Sequence, residues 1–332
     1  MRLLIVTDAW RPQVNGVVRT YESLALALAK RVTLKMLTPE PFRRVPLPTY
    51  PEIKISLASP GYVSGFIKSA GPDVVHIGTE GPLGFLTRQH CRRYGIPFTT
   101  CYHTRYPEYI ARRFPIPTGW TYALLRKFHG AAARTLVATG ELAEELRLRG
   151  FSRLTTWRRG IDLTPFADGP VEALDLPRPI FLYVGRLAIE KNIDDFLKLD
   201  LPGSKVVVGG GPERERLQRA YPQAVFLGPL ENPKLGALYR AADVFVFPSR
   251  TDTYGLVIAE ALAAGTPVAC YPTSGAREIF GGEACGVMSD SLQHAAMGAL
   301  GISRNVCRRV GAGHAMEASA ESFLGIMRAA IP

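Results

Sequence analysis

Short apolar runs alternate with amphipathic stretches along most of this chain. In the first half LLIVT (3–7), VTLKMLT (32–38), DVVHIG (73–78), PFTTCYH (97–103) and TLVAT (135–139) have the length and β-branched content of strands. Between them VVRTYESLALALAK (17–30) and ELAEELRLRG (141–150) carry apolar residues at helical spacing, and TTWRRGID (155–162) closes the half. The second half repeats the rhythm with PIFLYVG (179–185), KVVVGG (205–210), AVFLG (224–228), DVFVFP (243–248) and TPVACY (266–271). Strands alternating with helices predict an α/β protein built on doubly wound parallel sheets. GIDLTPFADGPVEALDLPR (160–178) has no periodicity and many turn residues, which predicts a link between two domains. The Ala-rich end, roughly 305–332, predicts helix.

One segment stands out, PSRTDTYGLVIAEALAAGTPV (248–268). A helix beginning near Tyr254 would be apolar on nearly every side and therefore buried, yet it carries Glu260. Asp252 sits eight residues earlier, in the loop before the helix. A lone charge in such a place costs roughly 3 kcal/mol or more unless something hydrogen-bonds it. An internal Arg or Lys would suffice. A bound ligand would also do so, and Gly255 and the end of the preceding strand mark the place where α/β sheets hold one.

Length, charge and cysteine narrow the class. The 332 residues suggest two domains, and 47% hydrophobic residues can fill two cores. No apolar run reaches the ~18 residues that span a bilayer, and MRLLIVTDAW reads as a first strand, not a signal peptide. The five cysteines (Cys91, Cys101, Cys270, Cys285, Cys307) show no C-x-x-C spacing, so a disulfide framework or zinc site is not expected and a reducing cytosol fits. Residues 1–165 hold 24 Lys and Arg against 11 Asp and Glu, a net of +13, while residues 166–332 hold 16 against 18, a net of −2. The basic half suits nucleic acid, an anionic membrane or an anionic substrate.

The Asp252–Glu260 spacing resembles the E-x7-E motif of the family 4 retaining glycosyltransferases, with Asp in place of the first Glu. Three further clusters extend the resemblance over most of the chain. PQVNGVVRT (12–20) looks like the family's glycine loop beside the donor diphosphate, with Gly16 between strand and helix and Asp8 organising that loop. YVGRLAIEKNI (183–193) matches a GR-x3-EK-N pattern, which puts Arg186 and Lys191 on the departing diphosphate. TEGPLG (79–84) with CYHTRYPEYI (101–110) places His103 near the anomeric carbon, in positioning and electrostatic support.

The resemblance implies the GT-B fold, two Rossmann-like doubly wound parallel-sheet domains facing across a cleft. It divides the chain into an acceptor-side domain (1–165), a nucleotide-sugar domain (166–305) and a terminal helix (306–332) crossing back to the first. His103, Arg186, Lys191 and Asp252 become the catalytic set. The donor is held by Gly16, Arg186, Lys191, Gly211 and Asp252, by the backbone through Thr253, Tyr254, Gly255 and Leu256, and by Glu260. In VVVGGGPER (206–214) the spacing is not G-x-G-x-x-G, and Gly211 enters only through the family pattern. No cofactor and no metal are expected, the nucleotide sugar, UDP- or GDP-linked, being a co-substrate.

Residues 105–134 interleave cations with large apolar groups, among them Arg112, Arg113, Phe114, Trp120, Arg126 and Lys127. That composition suits an anionic bilayer, and the wording resembles bacterial members that act on diacylglycerol. The expectation is a retaining hexosyltransferase with a membrane lipid acceptor, peripheral on the inner face of the cell membrane and cytoplasmic, with no nucleic-acid partner. A soluble or polysaccharide acceptor, a sugar-nucleotide epimerase of the same fold and a basic nucleic-acid-binding protein are the alternatives.

Overall fold

The computed structural model describes residues 1–13, 15–47, 50–111 and 114–332. The chain falls into two compact units, Met1–Arg159 with Glu317–Pro332, and Gly160–Met316. In the first unit the strands are β1 (Arg2–Val6), β2 (Thr33–Leu37), β3 (Arg44–Leu47), β4 (Tyr50–Ser56), β5 (Val74–Ile77), β6 (Phe98–Cys101), β7 (Arg134–Val137) and β8 (Leu154–Thr156). Six of them form one sheet in the order β2-β1-β5-β6-β7-β8, with Ile5 opposite Met36 on one side and His76 on the other. The second unit contributes β9 (Ile180–Val184), β10 (Ser204–Val208), β11 (Val225–Gly228), β12 (Val244–Phe247), β13 (Val268–Cys270) and β14 (Gly286–Met288), ordered β11-β10-β9-β12-β13-β14. Neighbouring strands in both sheets run parallel.

Covering helices explain the apolar runs. A parallel sheet packed on both faces has no side that needs polar residues, and every residue of β9 and β12 is buried. Phe181, Tyr183, Val207, Val244 and Val246 join one core of the second unit, and Leu4, Val6, Val75 and Ile77 join Val63, Ile67 and Phe128 in the first. In each sheet the strand order reverses beside the first strand of the unit, between β1 and β5 and between β9 and β12. Ligands of α/β sheets bind at such switch points, beyond the carboxyl ends of the strands.

Several expectations change. The helix expected from Tyr254 spans Leu256–Ala263, because Gly255 at φ +91° lies in the left-handed region and cannot continue a right-handed helix. The C-terminal stretch forms two helices, Arg304–Ala312 and Met316–Arg328. They separate where Ile161 bonds with the backbone of His314 and Met316, at 2.9 Å each. Residues 160–178 pack as part of the second unit. Arg240 donates to the carbonyls of Pro165, Phe166 and Pro170, and Thr164–Ala167 makes a turn of helix. The antiparallel pair β3–β4 and the three-residue β14 were not expected, their runs being short and, in β3, interrupted by Pro46.

Candidate active site

The loops that follow β9 and β12 bring together Lys191 and Asp252, two of the residues expected to hold the donor. Arg186 comes two residues after β9 and is half-buried, and its carbonyl accepts the Tyr183 hydroxyl at 2.9 Å. A 3-10 turn, Ile189–Lys191, ends at Asn192 in the left-handed region (φ 51°). Lys191 Nζ donates to Asp252 Oδ1 at 2.5 Å, with the two side chains 21% and 19% exposed. Asp252 Oδ2 is buried with no hydrogen-bond partner among the described residues. One carboxylate oxygen is thus fixed by a cation, and the other can receive a hydroxyl.

Glu260 is 3% exposed, and Tyr239 donates its hydroxyl to Oε2 at 3.1 Å. Gly211 lies at φ +148°, and a Cβ there would come within 2.3 Å of the Leu187 carbonyl oxygen. The glycine turn is laced to the Arg186 loop by Leu187 N–H to Gly210 O (2.8 Å) and Glu213 N–H to Leu187 O (3.1 Å). Gly211 is therefore a packing requirement that places this turn beside Arg186.

Thr253 and Tyr254 are buried, and the Tyr254 hydroxyl bonds to His314 Nδ1 at 3.1 Å. His314 Nε2 lies 3.1 Å from the Ile279 carbonyl, so Nε2 carries the proton and Nδ1 accepts from the phenol. The Tyr254 side chain is committed inward as an anchor. What this loop offers a ligand is the backbone around Gly255 and Leu256, both partly exposed at the start of a helix, where N–H groups favour an anion.

In the first unit Gly16 opens the helix Gly16–Leu28 and is exposed, and Asn15 caps it by accepting from the N–H groups of Val17 and Val18. Among the described residues Asp8 makes no hydrogen bond to this loop, which corrects the expectation that it organises it. Its carboxylate accepts from Leu83 N–H (2.9 Å), Gly84 N–H (3.2 Å) and the Thr79 hydroxyl (3.1 Å), so it caps the helix Pro82–Tyr94. Burial outweighs those bonds and raises its carboxyl to about 6.

His103 lies two residues beyond β6 and is 5% exposed. Its Nε2 is 2.7 Å from the Tyr21 hydroxyl, which also lies 2.8 Å from His76 Nε2. His76 Nδ1 meets Thr99 Oγ1 at 2.8 Å, and the Thr99 hydroxyl donates to Met327 Sδ at 3.3 Å. Burial pushes His76 down to about 3 and His103 well below its ordinary range, with Arg159 beside His103 adding to the effect. Both imidazoles are neutral at physiological pH, so His103 can accept or donate a hydrogen bond but supplies no charge.

The basic–aromatic stretch is exposed in part. Trp120 (76%), Leu124 (53%), Phe114 (43%) and Ile116 (42%) face solvent on and just before the helix Thr118–His129, near the exposed Arg126 and Lys127. Arg126 is also structural, donating to the Arg149 carbonyl at 3.0 Å. Arg112 and Arg113 lie outside the described residues. No helix among the described residues is long and apolar enough to cross a membrane.

Tyr21, His76, Tyr239 and His314 complete the picture, and the sequence alone does not single them out. The side-chain hydrogen bonds that join them to Thr99, His103, Tyr254 and Glu260 reach 21 to 82 residues along the chain, so no local spacing marks them.

Two parallel Rossmann-like sheets, each with a switch point, define an α/β fold of the ligand-binding kind, and the comparisons give the family. Residues 14–165 match the family described as "Glycosyltransferase Family 4", and residues 168–300 match "Glycosyl transferases group 1". The chain belongs to the family 4 glycosyltransferases and has the GT-B fold. It is 31% identical to the GDP-mannose-dependent alpha-mannosyltransferase of Mycobacterium tuberculosis, over 84% of this chain and 81% of that one. It is 27% identical to the alpha-monoglucosyldiacylglycerol synthase of Acholeplasma laidlawii, over 81% and 79%. Among solved structures, sucrose-phosphate synthase from Thermosynechococcus elongatus superposes with a TM-score of 0.80 at 20% identity, covering 99% of this chain and 98% of that one.

Proposed function

We propose that this glycosyltransferase moves a hexose from a UDP- or GDP-linked donor, with retention, to a lipid alcohol such as diacylglycerol at an anionic membrane surface. The observation that carries the donor half of the reading is the Lys191–Asp252 pair, whose buried Oδ2 has no hydrogen-bond partner among the described residues. Asp252 receives a sugar hydroxyl, Glu260 holds the ribose, and the backbone from Thr253 to Leu256 meets the diphosphate. Gly211 lines the nucleotide pocket.

In the chemical step the bond between the anomeric carbon and the diphosphate oxygen breaks, and the acceptor oxygen bonds to that carbon on the same face. The acceptor proton goes to the leaving phosphate. Negative charge grows on the phosphate oxygens, where Arg186 and Lys191 act as fixed cations worth roughly 3 to 4 kcal/mol each if well placed. Those cations fill the role a metal ion would otherwise take, so the reaction is expected to persist in a chelator. His103, neutral and held by Tyr21, positions the sugar or the acceptor.

The acceptor half rests on the exposed face of Phe114, Ile116, Trp120 and Leu124 with its neighbouring cations, which suits insertion at an anionic interface. The diacylglycerol-glucosylating relative supports the same acceptor class. The enzyme would work at the cytoplasmic face of the cell membrane. Incubation with diacylglycerol vesicles and a panel of UDP- and GDP-hexoses, followed by anomeric coupling in the product, is the test. An α-linked glycolipid from one α-linked donor is expected. Donor consumption with no lipid product would refute the acceptor, and release of no nucleotide from any donor would refute the transfer.

A further inference from the structure

Arg159 is 5% exposed, yet its guanidinium makes one hydrogen-bonding contact among the described residues, Nη2 to Cys101 Sγ at 4.0 Å. Its Nε is buried without a hydrogen-bond partner, and no carboxylate lies in ion-pair range of it among the described residues. Cys101, Tyr21 and His103 supply it no anion, and Glu80, whose Oε2 is buried and unpartnered, acts on the same cluster without pairing with Arg159 among the described residues. Burial raises the Cys101 thiol to about 12 and the Tyr21 phenol well above its ordinary value, while His103 is held neutral. Glu80, whose charge is felt at Cys101 and Tyr21, is engaged with His129 at 3.2 Å.

An arginine buried without an anion is a costly arrangement, since breaking or omitting one side of a buried ion pair leaves an uncompensated charge. Its place is informative. Arg159 follows β8, and Cys101 and His103 follow or close β6, on the carboxyl edge of the first unit's sheet where such folds take ligands. A guanidinium fork matches the oxygens of a phosphate group, with two parallel N–H···O bonds.

We infer that Arg159 is an anion site that takes a phosphate group beside His103. The site exists independently of turnover; that its phosphate comes from the glycosyl donor's diphosphate rests on the transfer reaction proposed above. A glycerophosphate headgroup has the same chemistry and is the other source. The bound anion would neutralise the cation that helps hold His103 uncharged, so phosphate arrival and the electrostatics at His103 are coupled.

The test reads Arg159 itself. In the 15N-arginine-labelled full chain the Arg159 Nε resonance, assigned through Arg159→Lys, is followed while pyrophosphate, UDP or glycerophosphoglycerol is added. A shift with pyrophosphate or UDP alone assigns the donor diphosphate, and a shift with glycerophosphoglycerol alone assigns the lipid headgroup. A resonance that moves with none of them overturns the site. Arg159→Met supplies the second readout, with pyrophosphate affinity lowered about tenfold or more, as loss of a charged hydrogen bond implies. Its anion-free melting temperature should equal or exceed the wild type, because methionine fills the space without a buried charge. A lower melting temperature with unchanged pyrophosphate affinity would make Arg159 structural. Loss of lipid product with the Arg159 resonance still responding to pyrophosphate would count against the acceptor reading and leave the anion site standing.

Discussion

Lys191 and Asp252 lie 61 positions apart and share a 2.5 Å ion pair, and Glu260 follows about one turn into the helix Leu256–Ala263. At this scale Arg186→Ala should lower kcat/KM by about 10²–10³ with the melting temperature nearly unchanged, because a half-buried cation in the proposed diphosphate-binding role would act mainly in the transition state. Single-turnover kinetics alongside thermal unfolding check both halves; wild-type turnover would remove Arg186 from the site. The buried histidines make a separate prediction about pH. His76 falls to about 3 from an ordinary 6.5, so its share of stability is complete above pH 6.5 and is lost as pH drops toward 3. Asp8 rises to about 6 from 3.8, so its share is complete below pH 3.8 and is lost as pH climbs to about 6. The two oppose each other in the overlap. Urea midpoints should fall as pH is lowered from about 7 to 5, less steeply in His76→Gln and more steeply in Asp8→Asn, and a reversed order would contradict the assignment.

The loop from Asp252 to the helix Leu256–Ala263 shows how an element is aimed. Gly255 holds φ +91°, and the loop is pinned by Tyr254 on His314. Gly255→Ala should therefore cost about 1–3 kcal/mol in stability, from strain in the left-handed region, and weaken donor binding as the helix start shifts. Calorimetry with UDP and GDP reads the second effect, and an unstrained, fully binding variant would show that the turn is tolerant. On the other unit the exposed face around the helix Thr118–His129 predicts the reverse pattern. Replacing Trp120 and Leu124 together by Ser should leave stability within about 1 kcal/mol, since both are exposed, while reducing co-sedimentation with phosphatidylglycerol vesicles several-fold. Equal sedimentation of variant and wild type would move the contact surface elsewhere.

For the whole molecule the charge is divided, with +13 in residues 1–165 and −2 in residues 166–332. Vesicle binding should weaken steeply as salt is raised, and binding indifferent to salt would argue that charge is not its driver. The alternation of buried strands and amphipathic helices was legible from the chain because burial on both faces of a parallel sheet demands continuous apolar runs such as IFLYV and VFVF. The sequence also flagged Glu260 as a charge on an apolar helix and Lys191 as a cation after a strand, and the structure gives each a hydrogen-bonding partner. Strand ends, the β3–β4 pair, the break before Met316 and the placement of residues 160–178 were not, because they depend on which distant backbone each segment meets. The same holds for Tyr239 on Glu260, His314 under Tyr254 and the Thr99–His76–Tyr21–His103 chain. The sequence by itself determined the class of sheet through its hydrophobic period, and its motifs carried the family resemblance, because both are encoded locally along the chain. Tertiary structure alone decided that Lys191 closes on Asp252, that Tyr254 turns inward, that Asp8 caps the helix Pro82–Tyr94 and that Arg159 is buried without a paired carboxylate among the described residues. Hydrogen-bond pairing and desolvation act through space, and neither is written in the distance along a chain.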